Sequence, residues 1–271
     1  MNYKVTYIWH DCFVIETDVC LFVFDYWKDT DGKIVDIIDT DKPVYIFVSH
    51  HHKDHFNSKI FRWASQLSNC PTYIISYDTA RFARHLIQPT SSYRRPVVSP
   101  SNLHIMHPSE TFSDEFITVH ALGSTDIGCS YLIDLNGTLL FHAGDLNAWA
   151  FADETSDDVI KQAIDAFKAE LSRLLDITKH IDIAMFPIDE RLGSSFAIGA
   201  KMLLTSLDIR HFIPMHFAHD SESEILQRRI KVACETDKYL PENIDTTVHT
   251  LTMPYQSIDL TLGKWPSRGQ A

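Results

Sequence analysis

The 271-residue sequence lacks several features that would assign a function directly. It contains no Gly-x-Ser-x-Gly element, Walker-type phosphate loop or Gly-x-Gly-x-x-Gly element, so nucleophilic serine catalysis and nucleotide binding have no positive support. Its five cysteines include no Cys-x-x-Cys pair. No apolar run approaches the length that spans a bilayer, and the N-terminus lacks the pattern of a signal peptide. We therefore expect a reduced, cytoplasmic protein with no membrane partner.

Positive charge is also scarce, because 24 Lys and Arg face 36 Asp and Glu and leave a formal net charge of -12. Such a field repels polyanions, so we expect no nucleic-acid partner. The one concentrated basic group consists of Arg81, Arg84, His85, Arg94 and Arg95. It is either a solvated face or a site for a small phosphorylated or carboxylated molecule, and the sequence leaves both open.

No linker rich in proline, glycine or serine divides the chain, and 45% of its residues are hydrophobic. This predicts a single domain over residues 1–271. Short runs of β-branched and aromatic residues at 5–8, 13–15 and 21–24 predict an antiparallel meander at the start. Alternating strand and helix patterns follow and predict a sheet covered by helices. The polar, proline-punctuated segment 88–108 predicts a surface excursion.

Histidine, by contrast, is abundant, with 15 residues. His50, His52, Asp54 and His55 fall within six positions, immediately after the apolar run Val44–Val48. Imidazole nitrogen and carboxylate oxygen are ligands that zinc and similar divalent ions prefer, and a loop leaving a buried strand can aim several of them at one point. A solvated polar turn is the alternative interpretation. We interpret the loop as a metal site.

The His-x-His-x-Asp-His string resembles the signature of the metallo-β-lactamase superfamily of hydrolases. The resemblance implies an α/β fold, a four-layer αββα sandwich of two mixed β-sheets flanked by helices. It also implies that His50 and His52 serve one ion and that Asp54 and His55 serve a second. The implied cofactor is zinc, with one or two ions per chain, and manganese or iron are the alternatives.

Two later segments extend the resemblance. A predicted strand over 138–143 runs into Gly144 and Asp145, similar to the element of the superfamily whose aspartate bridges both metals. Another predicted strand delivers His216, similar to the final ligand of the second site. His142, just before the Gly-Asp element, is a candidate for supporting the ligands or contacting the substrate.

One position departs from the family pattern, since Ser124 stands where a Gly-His-Thr-like turn supplies the third histidine of the first site. A serine hydroxyl is a poor zinc ligand beside imidazole, which leaves this site one ligand short. His120 or Asp126 could supply the missing ligand, water could fill the position, or only the second site could hold its ion tightly. Ser124 would then support the ligands or contact the substrate.

The opening run Trp-His-Asp-Cys-Phe at 9–13 and the later Asp25 resemble landmarks of the lactonase-like branch, the ascorbate-6-phosphate lactonase type. The match departs at Trp9, where the branch has glycine, and at Tyr26, where it has proline. Within this run we expect His10 to be a structural, hydrogen-bonded histidine. Asp189, Glu190 and Arg191, at another strand end, either line the pocket or form a solvated turn.

The resemblance implies hydrolysis by a metal-bound hydroxide, with Asp54 and Asp145 as the catalytic carboxylates. The expected substrate is a small lactone, ester or phosphorylated metabolite. A phosphodiesterase or nuclease of the same superfamily is the first alternative. A degenerate, non-catalytic metal-binding or scaffold protein is the second, and Ser124 motivates it. The sequence does not define an oligomeric state.

Overall fold

A computed structural model describes residues 1–87, 98–218, 223–241, 244–263 and 265. The strands are β1 (Asn2–Trp9), β2 (Cys12–Thr17), β3 (Leu21–Phe24), β4 (Val44–Val48), β5 (Thr72–Ser76), β6 (Leu103–Met106), β7 (Thr111–Ser113), β8 (Ile117–Leu122), β9 (Ser130–Leu135), β10 (Thr138–His142), β11 (His180–Pro187), β12 (Asp208–Met215), β13 (Thr247–Val248) and β14 (Ser257–Thr261). The α-helices are α1 (Ile34–Ile38), α2 (Trp63–Gln66), α3 (Tyr77–Phe82), α4 (Arg84–Ile87), α5 (Asp157–Ile177), α6 (Ile198–Ser206) and α7 (Ser223–Cys234). Short 3-10 helices cover Ser58–Arg62, Pro100–Asn102, Glu190–Ser195 and Thr236–Tyr239.

The strands form two seven-stranded mixed sheets, in the orders β14-β1-β2-β3-β4-β5-β6 and β13-β12-β11-β10-β9-β8-β7. In the first sheet β1, β2 and β3 pair antiparallel, which confirms the predicted meander, and β3 to β6 pair parallel. In the second sheet β7 to β10 pair antiparallel and β10 to β13 parallel. Helices flank both sheets, so the expected αββα fold is confirmed.

The strand β4 shows how the sequence builds these layers, because successive side chains point to opposite faces of a sheet. Tyr45 and Phe47 belong to the hydrophobic core shared with the second sheet. Ile46 and Val48 pack instead with helical residues such as Ile60. Both faces of the strand are therefore covered, which explains why the strand is an uninterrupted apolar run.

The prediction of a surface excursion over 88–108 is wrong in part. Residues 88–97 lie outside the described residues. Leu103–Met106, however, forms the strand β6, which pairs parallel with β5 so that Ile74 lies opposite His104. The strand lies at the edge of the sheet and only Met106 is fully buried, so it lacks the clean apolar pattern of an interior strand.

Two glycines let later loops pack against the end of β4. Gly128 has φ +82°, and a Cβ there would lie 2.1 Å from the Ser49 carbonyl oxygen. Gly144 has φ +52°, and a Cβ there would lie 2.6 Å from the Ser49 Cβ. Only a residue without a side chain permits this approach at positive φ. The loops carrying Asp126 and Asp145 are thereby held beside His50.

The five cysteines lie among the described residues and all carry free thiols. In the same described ranges, no helix combines the length and apolar character needed to cross a membrane. The buried cysteines, Cys12, Cys20 and Cys129, fill space in the apolar core. Packing, rather than disulfide bonding, therefore holds the described elements together.

Candidate metal centre

The predicted ligands come together at one end of the two sheets, in the loops that follow several interior strands. The histidine-rich loop follows β4, Asp145 follows β10, and His216 follows β12. The turn between β1 and β2 adds His10 and Asp11 to the same place. The backbone is strained here, because His10 has φ 57° and His216 has φ 68°. Non-glycine residues at positive φ are uncommon and concentrate at functional sites.

The first cluster consists of His50, His52, Asp126 and Asp145, whose ligand atoms lie within 4.8 Å of one another. Asp126, two residues after Ser124, belongs to this cluster, and its Oδ2 lies 3.4 Å from His52 Nδ1. Of the alternatives that the sequence left open, this geometry favours Asp126. His52 and Asp126 are well exposed, so this cluster opens to solvent.

Ser124 and His120 take other positions. The Ser124 hydroxyl oxygen accepts a hydrogen bond from the Asp126 backbone N–H at 3.2 Å. Ser124 therefore shapes the turn that carries the carboxylate. His120 Nδ1 lies 3.1 Å from the Thr111 hydroxyl, across the β7–β8 pair, and His120 belongs to neither group of candidate ligands in the described chain.

The second cluster consists of His10, Asp11, His55 and His216, all fully or almost fully buried. His10 was expected to be structural, but its ring lies 4.3 Å from the His216 ring, centre to centre. Its Nε2 also faces the Asp54 Oδ2 at 3.8 Å. The sequence pattern did not identify Asp11, because nothing local distinguishes it from an ordinary turn residue.

Asp145 belongs to the first cluster but also reaches the second, so that one of its oxygens faces each. Its Oδ2 is 3.4 Å from His50 Nε2 in the first cluster. Its Oδ1 is 3.1 Å from both His55 Nε2 and His216 Nε2 in the second cluster. A carboxylate in this position can contact two ions at once.

Each of the three central histidines has a partner on its Nδ1 atom. His55 Nδ1 lies 2.9 Å from Asp25 Oδ2, and His216 Nδ1 lies 3.0 Å from Asp189 Oδ2. His50 Nδ1 lies 3.0 Å from the Ser49 hydroxyl, which itself donates to Asp25. Metal-binding histidines characteristically donate one ring N–H to such a partner, which leaves the Nε2 lone pair for the ion.

The residues present fit a divalent cation. The Nε2 atoms of His50, His55 and His216 and the Oδ1 atom of Asp145 are buried, and among the described residues no group outside this ligand set hydrogen-bonds them. Burying such atoms is costly unless something satisfies them. Ligands about 2.1 Å from a tetrahedral ion are separated by about 3.4 Å. The observed separations of 3.1 and 3.4 Å match that spacing.

The carboxylates of the centre favour positive charge, which a proton on His216 supplies when no ion is bound and which a metal ion would replace. Burial alone would lower the pKa of His216, but the carboxylates of Asp145 and Asp11 outweigh it and raise that pKa to about 10. Burial raises the pKa of Asp11 to about 7, although the neighbouring His216 and His55 act in the opposite direction. Several carboxylates thus share a small volume, and positive charge stabilises them.

Asp54, the other predicted catalytic carboxylate, lies at the rim of the centre. Its side chain is 14% exposed and faces His10. Neither group of candidate ligands found among the described residues includes it. Its predicted role as ligand and catalytic group stays a prediction.

His142 is fully buried and supports the main chain around the centre. Its Nδ1 accepts the Gly144 N–H at 3.2 Å, so its Nε2–H donates to the Asp11 carbonyl oxygen at 2.9 Å. Burial lowers the pKa of His142, in keeping with this neutral form. His142 therefore connects the turn carrying Asp145 to the turn carrying Asp11.

The sequence left Asp189 either in the pocket or in a solvated turn, and the structure places it in the buried wall of the metal centre. Asp189 is 1% exposed, and both its carboxylate oxygens hydrogen-bond the Arg191 guanidinium. Burial would raise the pKa of Asp189, but hydrogen bonds from His216 and Arg191 hold it well below its usual range. Asp189 thus orients His216. A carboxylate directly after a buried strand was the signal for it in the sequence.

The sequence profile of the beta-lactamase superfamily domain matches residues 4–160, which is more than half of the chain. The chain belongs to the metallo-β-lactamase superfamily. A UPF0173 metal-dependent hydrolase of Desulforamulus reducens is 25% identical over 223 residues, covering 79% of this chain and 84% of that protein. The predicted superfamily and enzyme class are confirmed at this level, whereas the lactonase-like branch stays a prediction.

Solved structures support the superfamily fold. The metallo hydrolase Igni18 of Ignicoccus hospitalis superposes with a TM-score of 0.61 at 14% identity, covering 97% of this chain and all (100%) of that one. CmlA, a diiron β-hydroxylase of Streptomyces venezuelae, gives a TM-score of 0.60 at 11% identity, covering 95% of this chain and 54% of that one. At such low identity these likenesses describe the fold alone.

Proposed function

We propose that this superfamily member hydrolyses a small lactone, ester or phosphorylated metabolite at a centre of two divalent ions. The observation that carries the proposal is the position of Asp145, with Oδ2 facing the first cluster and Oδ1 facing the second. The unsatisfied Nε2 atoms around it supply the other ligands. When bound, such ions lower the pKa of a water molecule to about 7 and polarise the bond to be cleaved.

In this proposal each cluster has a distinct task. The buried second cluster, around His55 and His216, would hold an ion away from bulk water. The exposed first cluster, with His52 and Asp126, faces the entering substrate. Asp145 fixes the distance between the two positions. Asp54, at the rim, would accept a hydrogen bond from the attacking water.

Zinc is the cofactor we propose, because the ligands are imidazole nitrogens and carboxylate oxygens. The same donors accept manganese or iron, so metal analysis is part of the test. The lactonase-like landmarks at 9–13 and Asp25 support a lactone or ester within the wider group of substrates. In the fold, Asp25 orients both Ser49 and His55.

The test combines metal analysis with a substrate panel. Metal content per chain is measured by mass spectrometry after dialysis, and turnover is measured on lactone, ester, phosphodiester and thioester substrates. We expect about two ions per chain, and turnover that chelation removes and zinc restores. Asp145→Asn should lose both ions and turnover, whereas Asp259→Asn, an exposed control on β14, should keep both. Two tightly bound ions without turnover on any panel member would refute the proposed hydrolysis of these substrates.

A further inference from the structure

A cavity of about 550 Å³ opens beside the first cluster. His52 lines both the cavity and the cluster, so the two are continuous. A larger cavity of about 790 Å³ lies around Asp208 and Arg210, at the opposite end of β12 from His216, and none of the candidate metal ligands lines it. Of these two cavities among the described residues, the smaller one is continuous with the metal centre, so a reacting molecule can occupy both. The volume of the smaller cavity lies within the range typical of small-molecule sites.

Three aromatic side chains form the walls of the smaller cavity: Trp27, Phe56 and Phe82. Phe82 on α3 is 60% exposed, which makes it one of the most exposed large apolar residues of the described chain. It lies edge-on to Phe56, with ring centres 6.3 Å apart, and 5.2 Å from the His51 ring. An exposed aromatic ring at a cavity next to a reactive centre marks a surface for stacking a flat apolar group.

The charge of the lining is opposite to that of the protein. The chain carries a net charge of -12, yet the described residues that line the cavity include Lys53 and no carboxylate; Asp78 and Asp126 stand behind this lining, facing His51 and His52. Arg81, exposed and adjacent to Phe82 on α3, belongs to the basic group seen in the sequence. Arg94 and Arg95 of that group lie outside the described residues. An ammonium beside an aromatic wall suits a molecule with a flat ring and a negative group.

We propose that this cavity binds the aromatic, singly anionic part of the substrate. The ring lies between Trp27, Phe56 and Phe82, the negative group meets Lys53, and the bond to be cleaved lies toward His52. As a substrate subsite the assignment rests on the proposed hydrolase function. It narrows the substrate class to esters or lactones that carry an aryl group and one negative charge.

A binding experiment on the metal-free full-length chain tests the cavity independently of turnover. Calorimetric titrations use 6-hydroxy-2-naphthoate and 2-naphthol, which share a ring system and differ in charge. We expect the naphthoate to bind more tightly. Phe82→Ala should weaken both ligands by about 3–10-fold, the range expected for a lost ring contact. Lys53→Gln should weaken the naphthoate alone by about 2–5-fold, and Lys53→Arg should restore it.

Matched controls separate this effect from general surface changes. Met253→Ala removes another exposed apolar side chain, at 64% exposure, and Lys59→Gln removes an exposed lysine that does not line the cavity. Both should bind the two ligands as the parent protein does. Absence of naphthoate binding, or equal binding by Phe82→Ala, Lys53→Gln and the controls, overturns the proposal.

A kinetic experiment on the zinc-loaded enzyme completes the test with 6-acetoxy-2-naphthoate and 2-naphthyl acetate. Lys53→Gln should raise KM for the anionic ester by the same factor as in the titrations, with kcat unchanged, because it removes only binding. The neutral ester should be unaffected. Naphthoate binding with the expected variant pattern, but no turnover of either ester, would support an aromatic-anion site and count against the hydrolase proposal instead.

Discussion

Asp126 provides the sharpest test of how the first cluster is completed. We predict that Asp126→Ala weakens one ion of the pair and leaves the other in place. The Asp126 side chain is 42% exposed, so its removal costs the folded protein little by itself. Altering an outer partner of a metal ligand costs about 10–100-fold in affinity, so losing a direct ligand should cost at least about 100-fold.

The size of the effect follows from ligand-linked stability. At free zinc about 100-fold above the dissociation constant, one ion stabilises the fold by about 2.7 kcal/mol. A 100-fold weaker site is half filled under the same conditions and contributes about 0.4 kcal/mol. The loss of about 2.3 kcal/mol corresponds to roughly 5–9 °C in Tm for a protein of this size. Thermal unfolding with and without zinc, together with metal analysis, measures it.

Ser124→Ala is the matched control, because the Ser124 hydroxyl accepts the Asp126 N–H and has no place in the cluster. We expect it to keep both ions, with a smaller loss of affinity than Asp126→Ala, because the Ser124 hydroxyl contacts the main chain of the turn and not the Asp126 carboxylate. If Asp126→Ala retained both ions at unchanged affinity, or if Ser124→Ala lost an ion while Asp126→Ala did not, the assignment of Asp126 would be wrong.

Two further predictions concern the scaffold. Gly128→Ala should lose more than about 3 kcal/mol of unfolding free energy in urea titrations, since strain at positive φ adds to a clash with the Ser49 carbonyl. Gly137→Ala, also at positive φ but with open space around it, should lose only about 1–2 kcal/mol, and equal losses would refute the clash. Burial, with the nearby His249, lowers the pKa of His211 to about 4 from 6.5, so the unfolded chain binds the proton more readily between these values. Stability should therefore fall as the pH drops from about 6.5 to 4, by about 1 kcal/mol for this partly buried group, and His211→Asn should lose that part of the pH dependence in metal-free protein.

Much of the centre was predictable because its signals are local. The histidine-rich loop, Gly144 with Asp145, and His216 each follow a strand, and strand ends can be recognised from apolar runs. The order of these motifs along the chain resembles that of the superfamily, and this resemblance implied the αββα fold. These parts of the prediction needed no knowledge of distant contacts.

Tertiary structure decided which other side chains meet those ligands. Asp126 lies near His52 because Gly128 lets its loop pack on the end of β4. His10 and Asp11 lie in the turn between β1 and β2 of the first sheet, and His55 follows β4 of the same sheet. His216 follows β12 of the second sheet, so the four residues come together only when the two sheets pack. Hydrophobic periodicity in the sequence does not predict such contacts between distant segments.

The sequence by itself thus predicted a metal-dependent protein and the positions of its principal candidate ligands. The packing of the two sheets brought these ligands together at the strand ends and grouped them into two clusters, both of which face Asp145. The physical reason is that a ligand set needs separations of a few ångströms between residues far apart in the chain. Backbone pattern governs local structure, whereas only the packed core fixes those distances.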